Sequence, residues 1–347
     1  MTSSSPDILL TGATGFLGGY LARGLAEHFR GAERRCRVLI RESSDLTALG
    51  DLPEGWETTT GDLNDPESLL DALNGIDTII HAAALVSFQP EDRERMQFIN
   101  GEGTANLVNM ALEAGTRRLI HLSSVAVLNR RSGGPVVTPA DRWPEEKPNS
   151  SYAESKFAAE REVWRGQAEG LSVAALYPST ILGAGNFKGH NTPALWRMAA
   201  SGRNIYPDGS AGFVAVEDVV DATLFALDRD IDGDRFLLNA ANLSWKEVQR
   251  MIAESIGAKA PTYRMPAWQS AMLWPLEGLR AKLVGKRPLI TRETHHNVQS
   301  SFKYDGSAYV EASGRAYRDI DEVINKVGRL YRRLKSAEPT APPPTIS

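Results

Sequence analysis

The sequence predicts an α/β fold, with a doubly wound parallel sheet and a smaller, mostly C-terminal α+β region that covers a pocket. Three observations predict it. Short apolar runs alternate six times with stretches of helical period in the first half. A glycine-rich turn joins the first run to the first helix. The alternation then lapses after residue 178, where Gly and Pro become dense up to residue 212.

The elements follow in order. Residues 7–10 read as a strand and 16–29 as a helix; 37–40 is a strand, 45–49 a short helix and 56–60 a strand. A helix over 66–73 has Asp65 as N-cap and Pro66 in its first position, where the missing N–H costs nothing. Residues 77–81 form the fourth strand. A long helix over 91–113 is closed by Gly115. Strand 118–123, helix 152–167 and strand 172–176 complete the alternation, which calls for a parallel sheet with helices on both faces. Further sheet and helix material lies at 213–228 and 235–239, and helices at 244–257 and 319–335. Residues 268–284 read as an amphipathic helix packed on its own protein, with Met272, Leu276, Leu279 and Leu283 on one face. The organisation expected is a flexible 1–6, a cofactor-binding domain over 7–177 with later returns near 213–239, a mainly substrate-binding region over 178–335, and a disordered Pro-rich tail over 336–347.

Composition removes several classes of function. The 347 residues carry 39 Lys+Arg against 43 Asp+Glu, so the net charge of -4 offers no bulk attraction for nucleic acid. Cys36 is the only cysteine, which fits a reducing, cytoplasmic setting. The first residues lack the basic start and apolar run of a secretory signal, and no run approaches the roughly 18 apolar residues of a membrane span. No histidines or cysteines stand at metal-ligand spacing, and the adjacent His295 and His296 would point to opposite sides of a strand.

The turn after the first strand reads Thr11-Gly12-Ala13-Thr14-Gly15-Phe16-Leu17-Gly18. Gly12 permits the tight turn, Gly15 the approach of a pyrophosphate, and Gly18 close packing of helix on strand; the helix N-terminus then offers N–H groups to the anion. The second strand ends at Arg41, where an acid would bind a ribose 2′-hydroxyl. A guanidinium there suits a 2′-phosphate, so NADP(H) is favoured over NAD(H), with Arg34, Arg35 and Arg37 adding charge nearby. Asp62 and Leu63, after the third strand, are placed for the adenine amino group and ring. Ala82, Ala83 and Ala84, after the fourth, let a flat cofactor lie on the backbone. His81 reads as a buried histidine satisfied by its neighbours.

Tyr152 and Lys156 lie four apart, on one helical face. Delivering a proton to a carbonyl oxygen that receives hydride needs an acid with its pKa brought down from about 10 toward neutrality, a change of about 4 kcal/mol. One ammonium at about 4 Å supplies that order of energy. Ser123 and Ser124 end the fifth strand 28 residues before Tyr152, and a hydroxyl there can orient a substrate oxygen. Asn100, a poor helix former inside the long helix, reads as an amide that positions a water or backbone group behind Lys156.

Taken together these pieces resemble an extended short-chain dehydrogenase/reductase, of the NAD-dependent epimerase/dehydratase superfamily, with a Rossmann-type sheet. The resemblance rests on the 11–18 loop, Gly61-Asp62-Leu63, His81-Ala82-Ala83-Ala84, Asn100 with Gly103-Thr104, Ser123-Ser124, Tyr152 with Lys156, Tyr177-Pro178-Ser179-Thr180 and the 213–219 segment, in the family's order. It implies Ser124, Tyr152 and Lys156 as a catalytic triad, chosen over Ser123 by its offset from Val125-Ala126-Val127. It implies Pro178, Thr180 and Ile181 as the lining of the nicotinamide, and a homodimer pairing through helices 91–113 and 152–167.

Departures select within the family. Val125-Ala126 stand where sugar-nucleotide dehydratases carry Asp-Glu, and Leu128-Asn129 where epimerases carry Tyr-Gly. The segment 38–46 is similar to the dihydroflavonol-reductase and 3β-hydroxysteroid-dehydrogenase branch, which interconverts carbonyls and alcohols. Val86, Phe88, Trp143 and Trp196 are apolar loop residues for a small carbonyl or alcohol substrate, and Lys188, Arg197 and Arg203 are too scattered to neutralise a diphosphate. A sugar-nucleotide epimerase on retained NAD and a non-catalytic dinucleotide sensor are the alternatives.

Overall fold

The computed structural model describes residues 7–31, 35–46, 49, 56–141, 150–187, 192–229, 232–284, 287–288 and 291–337. The N-terminal 1–6, the tail beyond 337, Arg34, Trp143 and Lys188 lie outside the described residues, as do the side chains of Leu279 and Leu283.

A seven-stranded sheet forms the centre. Its strands are β1 (Asp7–Thr11), β2 (Cys36–Ile40), β3 (Glu57–Thr60), β4 (Ile76–His81), β5 (Arg118–Leu122), β6 (Ser172–Pro178) and β10 (Asp234–Leu238). They lie in the order β10-β6-β5-β4-β1-β2-β3, and all pairs are parallel. Order reverses between β1 and β4, which opens a crevice at the C-terminal edge of the sheet.

Alternate residues of these strands bury against opposite layers. Ile8, Leu10, Ile80 and Ile120 pack with α1 (Phe16–His28) and α7 (Val216–Asp228); Leu9, Ile79 and Leu119 pack with α2 (Pro66–Leu73), α4 (Gly103–Glu113) and α5 (Ser151–Ala168). Local chemistry sets the helix ends. Asp65 accepts from the Ser68 N–H and Pro66 opens α2, Ser150 accepts from Ala153 at the start of α5, and Gly115 leaves α4 with φ +73.

The long helix expected over 91–113 is not uniform. A 3₁₀ turn leads into α3 (Arg93–Met96), a π-helical stretch (Gln97–Glu102) and then α4. Asn100 sits in the π-helical stretch, and such widened turns serve to re-aim a side chain.

Residues 178–212 hold more regular structure than their Gly and Pro suggest. They supply β7 (Thr180–Leu182), α6 (Ala194–Ala200), β8 (Ile205–Pro207) and the start of β9 (Ser210–Ala215). β9 joins β7 and β11 (Ala241–Ser244) in a three-stranded sheet, while β8 pairs with β12 (Tyr263–Met265). A third core beneath them gathers Leu182, Trp196, Phe213, Val248, Ile252 and Ile324, the last three from α8 (Trp245–Ser255) and α12 (Ile320–Ala337). Trp196 is therefore core, fully buried on α6 with its indole N–H on Ser255, and does not face a substrate.

Two further expectations are corrected. His295 and His296 lie in a helix, α10 (Arg292–Gln299), not a strand. In α9 (Ala267–Val284), Met272 and Leu276 are 62% and 61% exposed, so these two residues of the face expected to pack inward point outward. The inward side holds Ser270 instead, hydrogen-bonded to α10. Among the described residues no helix is long and apolar enough to cross a membrane.

Candidate active site

The crevice is floored by the turn from β1 into α1. Gly12 has φ +76, and a Cβ on it would lie 2.6 Å from the Ala83 nitrogen; one on Gly18 would lie 2.0 Å from the Gly12 carbonyl oxygen. Both contacts are with backbone, so only glycine permits the loop to touch the end of β4 and α1 to sit against the loop. No side chain caps the start of α1, which leaves its first N–H groups facing the crevice with Thr14 and the exposed Gly15. The Phe16 ring turns away to pack on Gly183 and Gly185, and Leu17 packs on the core, so these two offer backbone to the crevice. A pyrophosphate fits this cradle: it matches the exposed N–H groups and has the space that side chains are denied.

The adjoining strand ends supply the remaining cofactor candidates. Arg41 is exposed just past β2, in a turn closed by its own N–H on the Ser44 hydroxyl at 3.0 Å. Arg37 is not beside it. It lies toward the opposite end of β2, held by Glu57 and the carbonyls of Ala72 and Asn74. Asp62 accepts from the Asn64 N–H at 2.9 Å in a tight turn, and Leu63 is buried in the core against α4. Ala82 and Ala83 are half-buried and Ala84 is exposed along the lip. Pro178 is buried at the end of β6, and Thr180 and Ile181 are half-buried at the start of β7.

A directed chain of hydrogen bonds fixes this lip. The Thr104 hydroxyl donates to the Asn100 carbonyl at 2.6 Å, so its oxygen is left to accept from His81 Nε2 at 3.0 Å. His81 Nδ1 then accepts from the Thr11 hydroxyl at 2.8 Å, and Thr11 Oγ1 accepts from the Ala83 N–H at 3.3 Å. The imidazole has to be neutral for this, and burial, reinforced by the Lys156 charge, holds its pKa down to about 3. His81 is thus satisfied by its neighbours. The Asn100 amide extends the chain: it accepts from the Leu85 N–H at 2.7 Å, donates to the Leu85 carbonyl at 2.9 Å, and donates to Ser155 at 2.9 Å. It fastens the loop after β4 to α5 at Ser155, the residue that precedes Lys156.

Ser124, Tyr152 and Lys156 come together at the C-terminal edge of β5. Ser124 Oγ accepts from the Ala126 N–H at 3.1 Å and shares a hydrogen bond with the Tyr152 hydroxyl. Burial raises the Tyr152 pKa, while the Ser124 hydrogen bond and the Arg130 charge pull it down. Phe88, exposed on the loop after β4, meets the Tyr152 ring edge-on with centroids 6.2 Å apart; Val86 is exposed on the same loop. Lys156 is 2% exposed and donates to the Leu122 carbonyl at 2.9 Å. Burial lowers its pKa to about 8, and Glu160 acts the other way.

The sequence reading missed three residues. Glu160 is buried one turn beyond Lys156 and receives the hydroxyls of Ser123 and Tyr177 at 2.6 and 2.7 Å and the Trp164 indole N–H at 3.1 Å. Ser123 is thereby turned away from Tyr152, while Ser124 faces it. Arg130 lies over the Phe302 ring and donates to the Tyr304 hydroxyl. Glu293 of α10 accepts from the Ser150 hydroxyl and the Ser151 N–H, just before Tyr152. Only Glu160 had a readable signal, its four-residue spacing from Lys156. Among the described residues no His, Cys, Asp and Glu side chains group as a metal centre would.

Comparison with known proteins agrees with this geometry. Residues 8–238 match the model of the NAD dependent epimerase/dehydratase family. The chain is 32% identical to sterol demethylase protein B of Methylococcus capsulatus, over 74% of this chain and 77% of that protein. It is 29% identical to a putative dihydroflavonol 4-reductase of Synechocystis, over 91% of both. The crystal structure of gox2253 superposes with a TM-score of 0.81 at 30% identity, covering 95% of this chain and 99% of that one. The glycine cradle at the strand-order reversal, the Tyr-Lys pair at the neighbouring strand end and these matches have one explanation: the chain belongs to the NAD dependent epimerase/dehydratase family, whose members are NAD(P)-dependent enzymes acting on small molecules.

Proposed function

We propose that the protein is an NADP(H)-linked oxidoreductase that interconverts a carbonyl and a secondary or primary alcohol. The observation that carries this reading is the Tyr152 hydroxyl on Ser124, walled by Phe88 and one helical turn from Lys156, beside the glycine cradle. Gly12, Thr14, Gly15 and Gly18, with the backbone of Phe16 and Leu17, would hold the pyrophosphate. Arg41 would hold a 2′-phosphate, Asp62 and Leu63 the adenine, and Ala82, Ala83, Ala84, Pro178, Thr180 and Ile181 the rest of the dinucleotide. When bound, the nicotinamide supplies or accepts the hydride at the substrate carbon.

The chain's own residues handle the oxygen. Ser124 and Tyr152 hydrogen-bond the carbonyl oxygen and orient it. As charge develops there, Tyr152 gives up its proton, and the product is the alcohol. Burial alone opposes this by raising the Tyr152 pKa, so cations must offset it; Arg130 already acts in that direction. Lys156 adds an ammonium able to hold the ribose hydroxyls. Residues 178–335 would mainly shape the substrate site, with Val86 and Phe88 at its mouth. Apolar side chains there favour an apolar carbonyl, and a homodimer is the proposed assembly.

Tyr152→Phe tests the mechanism. Turnover of ketones or aldehydes should fall by about a thousandfold or more, in the range of a lost general acid, while NADPH binding by nicotinamide fluorescence stays within about twofold. Retained turnover removes Tyr152 from the chemistry. Tightly held NAD in the purified wild-type protein would instead favour an epimerase.

A further inference from the structure

Helix α9 is built inside out. A surface helix ordinarily buries its apolar stripe and shows polar residues to water. Here Trp268, Met272 and Leu276, spaced four apart on one ridge, are 63%, 62% and 61% exposed. Ala271, Leu273 and Pro275 beside them are exposed too. Ser270 and Gln269 face the protein instead. Ser270 is buried and bonded to His295 at 2.8 Å and Gln299 at 2.9 Å, and Gln269 accepts from the Tyr263 hydroxyl. The apolar surface continues onto the adjoining strand pair, where Tyr263 and its register partner Ile205 are both exposed.

The segment that carries this ridge is one-sided in charge. In a chain of net charge -4, residues 264–292 carry Arg264, Arg280, Lys282, Lys286, Arg287 and Arg292 against the single acid Glu277. Arg264, Arg280 and Arg287 pair with Asp208, Glu277 and Asp92. Those three are paired among the described residues, and the excess of cations is a property of the segment's sequence. An exposed tryptophan within an apolar ridge, on a segment with excess Lys and Arg, is the composition of a surface that lies in the headgroup region of an anionic bilayer. A second copy meets these features less well, since pairing the face with itself brings two cation-rich segments together.

We infer that the α9 face, with Tyr263 and Ile205, is a docking surface for an anionic lipid bilayer, on which the protein sits without spanning it. The surface is fastened to both sides of the site. Arg287 and the Pro288 carbonyl, just beyond α9, bind Asp92 and Gln89 on the loop that carries Phe88. Helix α10, bonded to Ser270, places Glu293 on Ser150 and Ser151. A membrane-dissolved apolar carbonyl would so be met beside Tyr152; that last step rests on the oxidoreductase reading, whereas docking itself does not.

The test is flotation of the full chain with vesicles of phosphatidylcholine alone or with about one third phosphatidylglycerol, which needs no turnover. The wild-type protein should float with the anionic vesicles, at least about tenfold above its partition onto neutral ones, and release at high salt. A Trp268→Ser, Met272→Ser, Leu276→Ser variant should lose at least about tenfold of this binding, with melting temperature and NADPH affinity unchanged. Vesicle binding that is absent, or equal in wild type and variant, overturns the proposal. If it is absent and light scattering shows the same variant turning a dimer into monomers, the face belongs to a second copy.

Discussion

Replacing Lys156 with methionine should stabilise the protein at neutral pH while abolishing its turnover. The ammonium is 2% exposed, and burial brings its pKa from 10.5 to about 8. At 1.36 kcal/mol per unit, keeping it charged inside the fold costs about 3 kcal/mol. The sign follows from proton binding. Between pH 8 and 10.5 the unfolded chain holds a proton that the native protein has released, so native stability rises with pH through that window; below pH 8 both states are protonated and the full cost is present. Methionine has similar length and no charge. It forfeits the hydrogen bond to the Leu122 carbonyl, about 1 kcal/mol, and so gains about 2 kcal/mol at pH 7. By pH 10.5 the gain should have vanished or reversed. Urea unfolding of both proteins, followed by circular dichroism from pH 7 to 10.5, measures the difference, in which other titrating groups cancel. Parallel stability curves, or a variant weaker at pH 7, would refute the electrostatic account.

Three further outcomes follow from the geometry. Gly18→Ala puts a methyl 2.0 Å from the Gly12 carbonyl oxygen, so the loop must move; NADPH affinity should fall at least about tenfold, read by fluorescence titration. Arg41→Asp replaces an exposed guanidinium with a carboxylate that repels a 2′-phosphate, and the ratio of NADPH to NADH affinity should drop by about tenfold or more; an unchanged ratio removes Arg41 from cofactor choice. Glu160→Gln removes the charge that supports the Lys156 ammonium, so the Lys156 pKa should fall further below about 8. The alkaline limb of kcat against pH should therefore move toward acid, and a limb that stays in place would show that Glu160 serves packing alone.

The sequence-to-structure reading succeeded where periodicity and local chemistry act alone. The parallel sheet follows from alternating apolar runs, and the glycine turn from the conformations that only glycine reaches. Asp65 and Pro66 specify a helix start without outside help. It failed where distant packing decides. The helix around Asn100 widens because its amide is drawn to the backbone of Leu85, fifteen residues away. Arg37 lies near the start of β2 and Arg41 just past its end, a separation that composition does not register. Gly and Pro density around Trp196 suggests a loop, yet its bulk anchors a core formed with α8 and α12. Met272 and Leu276 have the spacing of a buried stripe, and spacing alone does not say which way a stripe faces. Arg130 acts on Tyr152 from a loop, and Glu293 binds the neighbouring Ser150 and Ser151 from a helix remote in sequence.

The seventh strand sets a timetable for synthesis. β10 pairs with β6 only after about 55 further residues have been made, and the closure cost of such a segment is modest in equilibrium terms. Its kinetic consequence is larger. Until residue 238 has emerged, β6 stands as a bare parallel edge, and the carbonyls of Ala226, Leu227 and Arg229 that receive the buried Arg118 guanidinium are not yet in place. At translation rates of about 5–20 residues per second, the nascent chain carries that open edge for several seconds. A nascent chain arrested once residue 178 has emerged from the ribosome would therefore display a six-stranded intermediate with an adhesive border. The family match ends at Leu238, the residue that ends β10 and closes that border.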